Sequence, residues 1–183
     1  ETFGNPADPA IGLVIGFGLQ LTGWPDAFCE GLAARGFHVV RFDNRDTGLS
    51  QKFVEFGPAD LAAGMAQKMA GEVVTAPYTH VDMADDLAAL ITVLNLGPAH
   101  VAGMSMGGII TQHLAINHAE VLRSATIMMS TTGHPSLPPM DPATQAVLFS
   151  APDDPEDPES IVALGLKIFA AIRGSGFAWD PDD

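Results

Sequence analysis

The stretch Val101-Ala102-Gly103-Met104-Ser105-Met106-Gly107-Gly108 decides how this chain is read. Its centre is G-x-S-x-G, set between a strand pattern over His100–Gly103 and a helix pattern over Met106–His118. A strand-to-helix turn this tight admits only very small residues two before and two after the serine, and Gly103 and Gly107 supply them. The geometry forces Ser105 into a strained backbone conformation that exposes its hydroxyl above the sheet. The following helix aims its N-terminal N–H groups at the same point, so the N–H of Met106 can stabilise an oxyanion. Without the flanking strand and helix, the same residues would be a glycine-rich turn with an incidental serine.

Working outward, the chain alternates strand and helix. Ile11–Ile15 is a short apolar run of the buried-strand kind, ending in Gly16-Phe17-Gly18. Pro25–Arg35 follows as a helix, with Pro25 in its first turn, Asp26 at its positive end, Gly36 closing it, and Phe28, Leu32 and Ala33 as its apolar stripe. Phe37–Phe42 is a second strand, Asp60–Gly71 a weak helix, and Val81–Leu94 an amphipathic helix carrying Met83, Leu87, Leu90, Ile91 and Leu94 on one side. Ala125–Ser130 is a fourth strand. Such alternation predicts an α/β fold, a mostly parallel sheet with helices on both faces. After Ser130 the alternation stops. Thr131–Pro158 is rich in Pro, Asp and Ser, and Ser160–Arg173 is a further helix with Ile161, Leu164, Ile168, Phe169 and Ile172 at helical spacing. Residues 1–130 are therefore expected to form the core and 131–183 part of a cap or lid.

The chain has 183 residues, 47% of them hydrophobic, which is enough to build a core and excludes disorder. Eight Lys and Arg against 22 Asp and Glu give a formal charge of −14, which disfavours nucleic-acid and anionic-membrane partners. Nine of those acids lie from Asp141 to Asp183, a stretch with two bases, and a solvated surface is the simplest account of them. The single cysteine, Cys29, excludes a disulfide framework and a cysteine-based metal site; a buried, inert thiol is expected there. Absence of a long apolar run or a signal-peptide pattern makes a soluble, cytoplasmic protein the expectation. Gly16-x-Gly18 is no dinucleotide fingerprint, because Leu21 stands where the third glycine belongs. His113 and His118 are five apart with no Glu after His113, so H-E-x-x-H is absent; His38 and His100 are expected to be packing residues.

Three matches in order resemble the α/β-hydrolase family, in its capped esterase, perhydrolase and aminopeptidase-like branch. The first is the elbow at Ser105. The second is Gly16-Phe17 with Trp24 eight residues beyond the glycine, where Ile15 replaces the histidine many members carry. The third is Asp43-Asn44-Arg45-Asp46-Thr47-Gly48-Leu49-Ser50, which resembles D-x-R-G-x-G-x-S with Asp46 where glycine is usual. The resemblance spans about residues 11 to 130. It implies that the backbone N–H of Phe17 is the second oxyanion donor beside Met106. Gly16, Gly18, Leu19 and Met104 are the expected substrate-binding neighbours, and the apolar surroundings favour an uncharged, partly hydrophobic acyl group.

The resemblance also implies a histidine base and an orienting carboxylate later in the chain. Only His134 follows the fourth strand, and it lies in the early cap. Ser130-Thr131-Thr132 offers no acid, the next being Asp141. Both partners are thus expected outside this segment. The chain also opens at Glu1-Thr2-Phe3 as if at the end of a strand, so the fold is expected to lack its last strands and to need the remainder of a longer parent chain. Alone, the segment is expected to be neither stably folded nor active. The expected function is a serine hydrolase acting on a small-molecule carboxylic ester or lactone, with no metal and no organic cofactor. A non-catalytic binding or receptor protein on the same fold is the alternative.

Overall fold

The computed structural model describes residues 1–57, 60–174 and 176. Two compact units make up the chain, Glu1–Gly133 and His134–Asp183.

The first unit is built on a sheet that has five strands among the described residues, in the order β1-β3-β2-β4-β5. These are β1 (Thr2–Phe3), β2 (Ala10–Val14), β3 (His38–Arg41), β4 (Ala99–Met104) and β5 (Leu122–Met128). β1 runs antiparallel to β3, and the other pairings are parallel. Register aligns Val14 with Gly103 and Gly103 with Ile127, so β2, β4 and β5 end level with one another. From β2 the chain crosses to β3 on one side and later to β4 on the other. That reversal is a topological switch point, and open α/β sheets bind ligands at the carboxyl ends of the strands beside such a point.

Helices α1 (Asp26–Ala33), α2 (Leu61–Met69), α3 (His80–Val93) and α4 (Met106–Asn117) belong to this unit. Strand alternation sorts the core into two layers. Ala10, Val14, Ala99 and Val101 face α3 and α4, meeting Met83, Leu87, Ile91, Ile110 and Leu114. Leu13, Ile15 and Val39 face the other way, onto Cys29 and Trp24. Cys29 is the buried residue of α1, with Leu32 and Ala33 beside it, whereas Phe28 is exposed and stacks on Trp24 at 5.5 Å. Burial raises the Cys29 thiol pKa, which keeps it protonated and unreactive.

α3 begins with a capping box. Thr79 Oγ1 accepts from the N–H groups of Val81 and Asp82, while Asp82 Oδ2 accepts from Thr79 N at 2.7 Å. Leu94 lies past the last turn and is exposed, so the apolar stripe closes at Ile91. β5 begins three residues earlier than the β pattern suggests. It is the exposed edge of the sheet among the described residues, half-buried at Leu122 and Met128 alone.

In the second unit, α5 (Pro142–Leu148) packs on α6 (Pro158–Ile172). Both open with an Asp N-cap followed by Pro, Asp141-Pro142 and Asp157-Pro158. Leu164 and Ile168 of α6 are half-buried, and Ile161, Phe169 and Ile172 of the same stripe are exposed.

Candidate active site

Ser105 joins β4 to α4 as the helix N-cap, with φ 55° and ψ −119°. This is a left-handed conformation that costs an L-residue about 1–3 kcal/mol. Its surroundings hold it there. Ser105 N donates to Met128 O at 3.0 Å, and the Ser105 carbonyl accepts from Gly108 N at 2.9 Å and Ile109 N at 3.3 Å. Ser130 Oγ adds a fourth bond, donating to the same carbonyl at 2.7 Å. Among the described residues every hydrogen bond of Ser105 runs through its backbone, and the residue is exposed.

The glycines around it are sterically required. A Cβ at Gly103 would run into Gly107 O and Thr111 Oγ1, and one at Gly107 into Val14 O. A Cβ at Gly108 would meet Ser130 Cβ at 2.5 Å. The α4 N-terminus therefore sits directly against the ends of β2, β4 and β5. Met106 is the first residue of α4, where a backbone N–H has no acceptor within the helix.

Gly16, two residues past β2, is buried against the elbow. A Cβ there would lie 3.2 Å from Ser105 Cβ and 3.4 Å from Met104 O. The fold thus brings Gly16 and Ser105 together across adjacent strand ends. Phe17 and Gly18 (φ 72°) are exposed beyond it. Leu19 packs toward the α1-side core, as does Met104, while Met106 packs toward the α3 and α4 side. Met104 and Met106 are half-buried, each packed against one of the two core layers.

The loop after β3 closes over the exit of β2. Asp43 Oδ1 accepts from Leu21 N at 2.7 Å, and Oδ2 accepts from Leu49 N at 3.0 Å. A Cβ at Gly48 (φ 50°) would run into that carboxylate, which explains the glycine. Asn44 Nδ2 donates to Ile15 O at 3.3 Å. Arg45 is held by Asp86 through two bonds of 2.7 and 2.8 Å and lies over the Tyr78 ring at 4.9 Å. Asp46 has φ 64°, the conformation glycine ordinarily provides there. Its carboxylate accepts from Phe53 N at 2.7 Å and Tyr78 OH at 2.6 Å. Those bonds hold the Asp46 pKa below the usual carboxylate value, while burial and Asp46 push the Tyr78 phenol up to about 12. Arg45, Asn44 and Asp86 also line a cavity of about 260 Å³ beneath this loop, a space lined by none of residues 16–19 or 103–106.

The remaining histidines do other work. His118 pairs with Asp85 at 2.6 Å, His100 bonds Ser124 Oγ at 2.7 Å, and His38 is buried. His80 stacks on His113, and burial followed by the His113 charge lowers its pKa. His134 Nδ1 lies 2.8 Å from Ser136 Oγ within the second unit. Among the described residues no group of three or more His, Cys, Asp or Glu side chains could hold a metal ion, and no helix is long and apolar enough to cross a membrane. Ser130, Asp43 and Asn44 are the supporting residues that motif reading leaves without a role. The local motif from Asp43 to Ser50 marks the loop, but the bonds to Leu21 N, Ile15 O and Ser105 O span 22 to 29 positions in sequence, so no local pattern signals those partners.

A mostly parallel sheet with helices packed on it, and a left-handed serine on a strand–turn–helix elbow, define an α/β protein of the hydrolase-elbow architecture. Residues 9–172 match the alpha/beta hydrolase fold family, and the chain belongs to it. It is 35% identical over 129 residues to the rhodomycin D methylesterase DauP of Streptomyces sp. strain C5, an alignment covering 70% of this chain and 37% of that protein. It is 29% identical over 200 residues to the rhodomycin D methylesterase DnrP of Streptomyces peucetius, covering 100% and 61%. The solved structure of a hydrolase from Pseudomonas aeruginosa PA01 superposes with a TM-score of 0.59 at 26% identity, covering 91% of this chain and 52% of that one. The chain thus spans 37–61% of the length of these curated relatives.

Proposed function

We propose that the protein containing this chain is a serine hydrolase of carboxylic esters, with Ser105 as nucleophile. The observation that carries this reading is the exposed Ser105 at φ 55° on the N-cap of α4. Local strain at an exposed hydroxyl, held by four backbone bonds, has no evident packing purpose.

Ser105 Oγ attacks the ester carbonyl and forms a tetrahedral intermediate. The N–H groups of Phe17 and Met106 hold its oxyanion, each contributing on the order of 3–4 kcal/mol by analogy with other serine hydrolases. A histidine outside the described residues takes the serine proton and returns it to the leaving alcohol. Water then attacks the acyl-enzyme and releases the acid. Gly16, Gly18, Leu19 and Met104 border the acyl group, and residues from 131 onward form part of a cap. The two methylesterases among the relatives support an ester over an amide, and a carboxylic methyl ester is the first substrate to test. A lactone is chemically equivalent at the carbonyl and is the second.

Treating the full-length protein with a fluorophosphonate probe tests the reading. Labelling at Ser105, lost together with ester hydrolysis in Ser105→Ala, is the expected result. A folded full-length protein that neither labels nor hydrolyses esters would instead be a binding protein on a hydrolase fold.

A further inference from the structure

Two consecutive buried side chains, Asp43 and Asn44, grip the loop that leaves β2 at both of its ends, and the chemistry above uses neither. We infer that Asn44, assisted by Asp43, is a positioning residue that sets the direction of the Phe17 N–H. This inference rests on the assignment of Ser105 and Phe17 to an esterase site.

The argument starts from Gly16. A Cβ there would be crowded at 3.2 Å from Ser105 Cβ, and as a glycine its backbone is a soft point of the loop. Gly18, with φ 72°, is a second soft point two residues on. A loop with two glycines does not hold an N–H on a developing charge unless something outside it fixes the peptide planes. Asn44 supplies the near restraint. Its amide donates to Ile15 O at 3.3 Å, and because a peptide unit is planar, this sets the plane that enters Gly16. Asp43 supplies the far restraint through Leu21 N at 2.7 Å.

The clamp is itself braced. Asp43 Oδ2 accepts from Leu49 N at 3.0 Å, Ser50 Oγ donates to Asp43 O at 2.6 Å, and Arg45, the residue after Asn44, donates to Asp86 Oδ2 at 2.7 Å. Displacement of a reacting geometry by about 1 Å can cost up to a hundredfold in rate, so the restraint acts on kcat and leaves substrate affinity largely alone.

The test uses the full-length protein with p-nitrophenyl butyrate as the probe substrate. Asn44→Asp keeps the shape and replaces the donor with an acceptor facing the Ile15 carbonyl. We expect kcat to fall about tenfold or more, KM to stay within about twofold, and the Ki of a trifluoromethyl ketone to rise in step with the loss of kcat/KM. Leu21→Pro removes the N–H that Asp43 holds without touching Asn44. It should give the same split, and it carries the test should Asn44→Asp fail to fold. Unchanged kcat in either folded variant, or a rise in KM with kcat intact, overturns the inference. Ser105→Ala separates the two claims. If it stays active, the nucleophile assignment fails; if it is inactive while Asn44→Asp and Leu21→Pro keep kcat, only the positioning role fails.

Discussion

At Ser105 the backbone occupies a conformation that glycine would accept without strain, yet the residue carries a hydroxyl. Ser105→Gly should therefore be more stable than Ser105→Ala by about 1 kcal/mol, measured by urea unfolding of the full-length protein, although neither variant can act as a nucleophile. The same crowding makes Gly107→Ala destabilising by about 1–3 kcal/mol, because the added methyl meets Val14 O, a backbone atom that cannot swing aside. His80 provides a pH-dependent term. Its folded pKa is lowered from 6.5 by burial and by His113, so folding favours the neutral ring. The stability it contributes is full above about 6.5 and is lost as pH falls through the lower folded value. An NMR titration should find His80 below the free value, and His80→Gln should flatten the fall of the unfolding midpoint just under pH 6.5. The glycines at 103 and 107 were legible from sequence because their constraint is local. Asp46 was legible only as a departure from a motif; its φ of 64° and its bonds to Phe53 and Tyr78 account for that departure in three dimensions.

Among the elements, α3 carries its own start signal. Thr79→Ala removes the acceptor for Val81 and Asp82 N–H and should cost about 1 kcal/mol. It should also raise the Asp82 pKa, which the Thr79 hydroxyl and N–H now hold down, and carboxyl NMR shifts would report that change. Unchanged stability and an unchanged Asp82 titration would mean that the cap is ornamental. Apolar spacing located α3, β2 and α6 because each buries or half-buries a face. It placed Phe28 in the α1 stripe, whereas Cys29 faces the core, since an eight-residue helix gives too few turns to define the inward direction. α5 went unread inside the Pro- and Asp-rich segment, although Asp141-Pro142 is an ordinary helix opening. β5 was read late because Arg123 and Ser124, polar residues near its start, mask its apolar pattern.

For the molecule as a whole, the two units meet in sequence at Gly133, within a stretch from 131 to 143 in which every residue is exposed. A broad-specificity protease at low dose should nick there first, and mass spectrometry should find a fragment ending near residue 133. First cuts inside β2 or α4 would contradict the division. Sequence alone determined that β4 meets α4 at a strained serine, and that strands and helices alternate around it. Small-residue spacing and apolar period are local properties that the chain writes directly. Only the tertiary structure decided what stands around that serine. Ser130 reaches it from 25 residues away, and Asn44 reaches the neighbouring β2 exit from 29, through contacts created when parallel strands end level at one edge of a sheet. Such convergence depends on strand order and register, which are settled by the packing of two core layers and leave no mark in the spacing of any single segment.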